Sequence, residues 1–100
     1  MQLTELNNNT TIDASIGDMI EIRLKTNPST GFMWTQENST AGVIDKLVYD
    51  PHVPGAKIGA STFVTIFFKI TDGGEINLFY VGRREPSPGD RWFNVLVKLT

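Results

Sequence analysis

From Asp18 to Lys25 the chain reads D-M-I-E-I-R-L-K, with apolar and polar residues alternating. Successive side chains of an extended strand point to opposite faces. Ile20, Ile22 and Leu24 therefore share one face, and Glu21, Arg23 and Lys25 share the other, as in a strand with one buried and one wet side. The pattern recurs between Thr62 and Thr71, where Val64, Ile66, Phe68 and Ile70 align. It returns in Ile76, Leu78 and Tyr80, and again in Phe93, Val95, Val97 and Leu99. Shorter candidates run from Thr10 to Ala14, Phe32 to Gln36 and Val43 to Tyr49. Helical periodicity is nearly absent. The expected class is all-β, an immunoglobulin-like β-sandwich of about seven or eight strands. The 100 residues suffice for one domain, expected to span 1–100.

The breaks between these runs are rich in glycine and proline. Ile16-Gly17-Asp18 separates the first two strands, and Asp72-Gly73-Gly74 reads as a tight hairpin turn. Longer connections run from Pro51 to Ser61 and from Gly82 to Asp90. The inward residues of the strands predict a core of about a dozen side chains, each contributing roughly 1.5–3 kcal/mol when buried. Phe67, Phe79 and Trp92 fall on the opposite faces. They are expected to form cross-strand pairs or edge packing rather than a binding patch.

Composition narrows the functions. With 9 basic and 11 acidic residues the net charge is −2, which offers no basic excess for nucleic acid and no polybasic run for a membrane surface. The chain has no cysteine, hence no disulfide and no thiolate metal site. The Asn-rich start lacks the regions of a signal peptide, so a cytoplasmic protein is expected. The one histidine, His52, lies in a Pro-rich stretch with no nucleophile-elbow serine anywhere in the chain. His and carboxylate spacings suggest no metal site. No catalytic residue, metal or cofactor is expected, and function should reside in loops carried on a rigid frame.

One loop carries most of the information: Asn27-Pro28-Ser29-Thr30-Gly31-Phe32-Met33-Trp34. Pro28 sets its own φ and pushes Asn27 toward an extended conformation. Gly31 permits backbone geometry that a Cβ would resist. Ser29 and Thr30 stand between these constraints as small hydroxyl residues on a stiff bend. Phe32 and Trp34, two apart, would anchor its base in the core. A loop so constrained loses little entropy on docking. By itself, N-P-x-T-G is also compatible with an ordinary turn.

In its context the octapeptide resembles the N-P-T-T-G-[FY]-x-W segment of the chagasin family, inhibitors of papain-like cysteine peptidases. The resemblance extends over essentially the whole chain: Asn77-Leu78-Phe79-Tyr80 is similar to the family's N-L-x-Y segment, and Phe93 to Leu99 to its last strand. It implies a reversible inhibitor that blocks the peptidase cleft with three loops. Asn27, Pro28, Ser29, Thr30, Gly31 and Phe32 would form the central one. The second loop of the family carries G-x-G-G; here the stretch is Lys57-Ile58-Gly59-Ala60-Ser61, in which Gly59 matches while Lys57 and Ala60 depart, and Gly59, Ala60 and Ser61 are the implied contacts. The third carries R-P-W or R-P-F; here Gly82-Arg83-Arg84-Glu85-Pro86 keeps an arginine and lacks the Pro-aromatic pair, leaving Arg83 and Arg84 as candidates. Arg91-Trp92-Phe93 aligns instead with the start of the last strand. The implied partners are cathepsin-type, papain-like cysteine peptidases, bound by a monomer. An immunoglobulin-like adhesion or carbohydrate-binding module would explain the strands equally well, and would be indifferent to changes at Ser29 and Thr30.

Overall fold

The computed structural model describes residues 1–26, 33–36, 38–51, 62–81 and 91–100. Eight strands are present among them: β1 (Gln2–Leu3), β2 (Thr10–Ala14), β3 (Met19–Thr26), β4 (Met33–Gln36), β5 (Gly42–Tyr49), β6 (Thr62–Ile70), β7 (Gly74–Val81) and β8 (Arg91–Leu99). They form two four-stranded sheets, ordered β1-β3-β6-β5 and β2-β8-β7-β4. Both sheets are mixed. β1 runs parallel to β3 and β2 parallel to β8, and the remaining pairs are antiparallel.

The alternation sets which faces meet. Ile20, Ile22 and Leu24 of β3 turn inward with Val64, Ile66, Phe68 and Ile70 of β6. From the other sheet come Ile76, Leu78, Phe93, Val95 and Val97. Among the described residues the buried cluster numbers 17, more than the dozen expected. The excess comes from Ile12, Ala14 and Trp34 of the shorter strands and from Leu3 and Ala41, which have no alternating context. Phe79 and Trp92 pair across β7 and β8 on the outer face, with ring centroids 5.1 Å apart. Phe67 lies beneath the Lys46 ammonium, 4.7 Å from its ring centroid. These are the cross-strand contacts anticipated for the off-face aromatics.

Two features were not expected. A single 3-10 turn at Glu5–Asn7 is closed by a capping box: Thr4 Oγ1 accepts from Leu6 N, and Asn7 Oδ1 accepts from Thr4 N. Asp72-Gly73 is also not a hairpin turn, because β6 and β7 belong to different sheets. The chain crosses the sandwich there. Gly74 adopts φ +142°, and a Cβ on it would stand 2.1 Å from Thr40 Oγ1. The same hydroxyl accepts from Glu75 N at 2.9 Å, while Thr71 N and Asp72 N donate to the Ala41 carbonyl. The corner is thus held by residues 38–41 rather than by ladder pairing. Gln36 Oε1 accepts from Ile44 N at 2.8 Å and links edge strand β4 to edge strand β5 across the sheets.

Candidate functional site

The strand ends that flank the three sequence-implied loops converge on one end of the sandwich. Thr26, last residue of β3, is opposite Thr62, first residue of β6. Asp50 N donates to the Phe63 carbonyl at 2.9 Å, so the end of β5 lies against the start of β6. In the other sheet Met33 is opposite Val81, and Tyr80 is opposite Arg91. Residues 27–32, 52–61 and 82–90 are bracketed by these ends. Asn27, Pro28, Ser29, Thr30, Gly31, Phe32, Gly59, Ala60, Ser61, Arg83 and Arg84 lie outside the described residues, as does His52. What the structure describes is the set of stems that bear them.

The first stem joins the two sheets. Trp34, one residue past the start of β4, is buried, and its Nε1 donates to the Lys25 carbonyl of β3 at 3.0 Å. The anchoring role expected of Trp34 is therefore met through both its ring and its indole N–H. The same carbonyl accepts from the Arg91 guanidinium, and its two lone pairs permit both bonds. Arg91 also lies 5.2 Å from the Trp34 ring centroid and 4.7 Å from that of Tyr80. Glu5, carried by the 3-10 turn, pairs with it at 3.2 Å. Trp34 and Tyr80 pack with centroids 5.3 Å apart.

A second arginine secures the stem of residues 52–61. Arg23 makes a two-pronged bond to Asp50, at 3.1 and 2.6 Å, and its guanidinium covers the Phe63 ring at 4.7 Å. Asp50 and Phe63 are the two sides of that stem. The hydrogen bond to Asp50 raises the Arg23 guanidinium above its ordinary pKa, against a smaller opposing desolvation. Arg23 is the one polar-face residue of β3 with such a partner among the described residues.

Between the stems sits Thr26. It is the buried polar residue of the core among the described residues, 1% exposed, and its Oγ1 has no hydrogen-bond partner there. A buried hydroxyl without a partner is unfavourable, and it stands directly before the N-P-S-T-G-F segment.

Sequence reading placed Arg23, Tyr80 and Arg91 in strands but assigned none of them, nor Glu5 or Asp50, a part in the site. One signal was available: all but Glu5 and Arg23 lie within two residues of the bracketed stretches. Spacing along the chain says nothing, however, about which stems touch across the sheets.

Comparisons with known proteins agree with this architecture. The model of the chagasin family peptidase inhibitors matches residues 13–95. Amoebiasin-1 of Entamoeba histolytica is 37% identical over 102 residues, covering 99% of both chains. Chagasin of Trypanosoma cruzi is 38% identical over 39 residues, 39% of this chain and 36% of its own. Among solved structures, that of amebosin superposes with a TM-score of 0.74 at 36% identity, covering 100% of this chain and 97% of the other. The cysteine protease inhibitor EhICP2 of Entamoeba histolytica gives a TM-score of 0.74 at 30% identity, with coverage of 99% and 94%.

Proposed function

This chain belongs to the chagasin family of peptidase inhibitors, and we propose that it inhibits papain-like cysteine peptidases reversibly and without a covalent bond, by seating three adjacent loops in the active-site cleft. The observation that carries this reading is the convergence of the three stems on one end of the sandwich. Stems so arranged let residues 27–32, 52–61 and 82–90 act as one wedge. A cleft between two lobes, with its catalytic Cys and His facing each other, is complementary to a wedge of that kind.

In this mechanism Ser29 and Thr30 lie over the catalytic pair and exclude substrate by occupancy. Pro28 and Gly31 hold the bend in a shape that offers no properly oriented scissile bond. Asn27 and Phe32 complete the central loop. Gly59, Ala60 and Ser61 add backbone hydrogen bonds at the cleft edge. Arg83 or Arg84 reaches the far wall through its guanidinium, a frequent anchor of interfaces. The whole chain, 1–100, acts as a single inhibitor domain and as a monomer, in the cytoplasm. Among the described residues no helix is long and apolar enough to cross a membrane.

Titration of papain and of a panel of cathepsin-type enzymes tests the reading. Stoichiometric loss of activity at micromolar inhibitor or below is expected, and full activity throughout the panel would refute it. Thr30→Arg places a long charged side chain at the centre of the cleft and should weaken inhibition by about thirtyfold or more. Unchanged inhibition by Thr30→Arg would remove the central loop from the contact.

A further inference from the structure

We propose that Arg91 is the positioning residue of the inhibitory end, locking the stems of the first and third loops together so that they meet a peptidase as one preformed surface. The proposal rests on the inhibitory reading above and goes beyond it, because Arg91 belongs to a strand and to none of the three loops.

Consider which chain positions its side chain touches. Arg91 is the first residue after 82–90. Its guanidinium donates to the carbonyl of Lys25, which is followed only by Thr26 before residues 27–32 begin. It lies over the ring of Trp34, the second residue of β4, just past the same stretch. It lies as well over the ring of Tyr80, which is followed only by Val81 before residues 82–90. One side chain therefore contacts the entry and exit of the first loop and the entry of the third, and is itself the third loop's exit. Lys25 belongs to one sheet, while Trp34, Tyr80 and Arg91 belong to the other. The guanidinium spans the sandwich at the one place where both loops leave it.

Arginine is the residue suited to this place. Its N–H groups serve the Lys25 carbonyl and the Glu5 carboxylate, while its delocalised charge lies within cation–π distance of both the Trp34 and the Tyr80 ring. A lysine ammonium is a point charge that could keep the ion pair but lacks the planar fork of N–H groups that reaches the carbonyl, the carboxylate and both rings together. Glu5 offsets the charge, so Arg91 is engaged internally and its task differs from that of Arg83 or Arg84. Its side chain is 42% exposed and that of Glu5 50%, and an ion pair so open to solvent contributes little to global stability. Removal should thus disturb inhibition more than folding. Stems no longer held in register must be ordered on binding, at the expense of affinity.

The test uses the full chain and papain, with inhibition constants and thermal melts for wild type, Arg91→Ala, Arg91→Lys and Ile70→Val. Ile70 is a fully buried residue at the opposite end of β6 and serves as a control for plain destabilisation. Arg91→Ala should raise the inhibition constant by about tenfold while lowering Tm no more than Ile70→Val does. Ile70→Val should leave the inhibition constant unchanged. Arg91→Lys should resemble Arg91→Ala. A cycle of Thr30→Ala and Arg84→Ala reads the coupling directly. The two should be non-additive by about threefold or more in wild type and additive in the Arg91→Ala background. The proposal is overturned if Arg91→Ala inhibits as wild type does, if Arg91→Lys restores inhibition, if the coupling persists without Arg91, or if Arg91→Ala loses more Tm than the control. Failure of the wild-type chain to inhibit would instead bring down the inhibitory reading itself, and this inference with it.

Discussion

Replacing Thr26 by valine should stabilise the protein. Thr26 ends β3 on the inward face and is 1% exposed, and its hydroxyl has no partner among the described residues. Burying a hydroxyl that makes no hydrogen bond costs about 1–3 kcal/mol by mutational measure. Valine substitutes a methyl of similar size, and burial of such a group is worth about 0.8 kcal/mol. Both residues are β-branched, so the restriction at χ1 and the preference for a strand are retained. Allowing for relaxation around the new methyl, the net gain should be about 1–2 kcal/mol. In a domain of this size that corresponds to a Tm higher by about 4 °C or more. Urea unfolding provides the assay, with a higher midpoint and an unchanged slope as the expected result. The inhibition constant should stay as it is, because the exchange alters no exposed surface. A loss of about 1 kcal/mol or more would refute the reasoning. It would show that the hydroxyl is hydrogen-bonded at the base of the first loop and belongs to its architecture.

Other perturbations follow from the same structure. Phe68→Ala removes a large, fully buried ring and should cost about 3–5 kcal/mol, seen as a sharply lower urea midpoint. Gly74→Ala forces a Cβ to within 2.1 Å of Thr40 Oγ1 at a φ of +142°, and thermal melts should show destabilisation of more than about 1 kcal/mol. Asp50→Asn removes the carboxylate that Arg23 grips in two-pronged fashion, and should weaken inhibition through the second stem while moving Tm little. The pH dependence of the Arg23 contribution has a definite sign. A guanidinium whose pKa is raised on folding stabilises below its unfolded value and loses that contribution only as pH climbs through the folded one. Both lie at strongly alkaline pH, so a stability titration across the neutral range should show no slope from this group.

Much of the frame was legible because a strand carries its burial pattern in a period of two. Thr10–Ala14 matches its sequence-based bounds, and Met19–Thr26 and Thr62–Ile70 differ from theirs by a residue at the ends. β8 begins at Arg91, where the family resemblance set the start of the last strand; the apolar alternation alone begins at Phe93, because Arg91 puts a charged side chain at the inward parity. β1, at two residues, is too short to show any period. Asp72-Gly73 misled because glycine-rich turn chemistry is shared by hairpins and by corners that change sheets. As for the site, the N-P-S-T-G-F-M-W segment could be recognised from backbone restriction and resemblance. The contacts that join its stem to the neighbouring ones across the sheets could not.

The chain alone determined its class, its inward and outward faces and its family, because each of these is written in local order: alternation, turn residues and a contiguous motif. Tertiary structure decided which strands became neighbours, and with them the meeting of Lys25, Trp34, Tyr80 and Arg91 at one end and of Arg23, Asp50 and Phe63 beside it. Those partners are separated by up to 66 residues along the chain. Contacts at such distance follow from strand order and sheet packing, which no local period encodes.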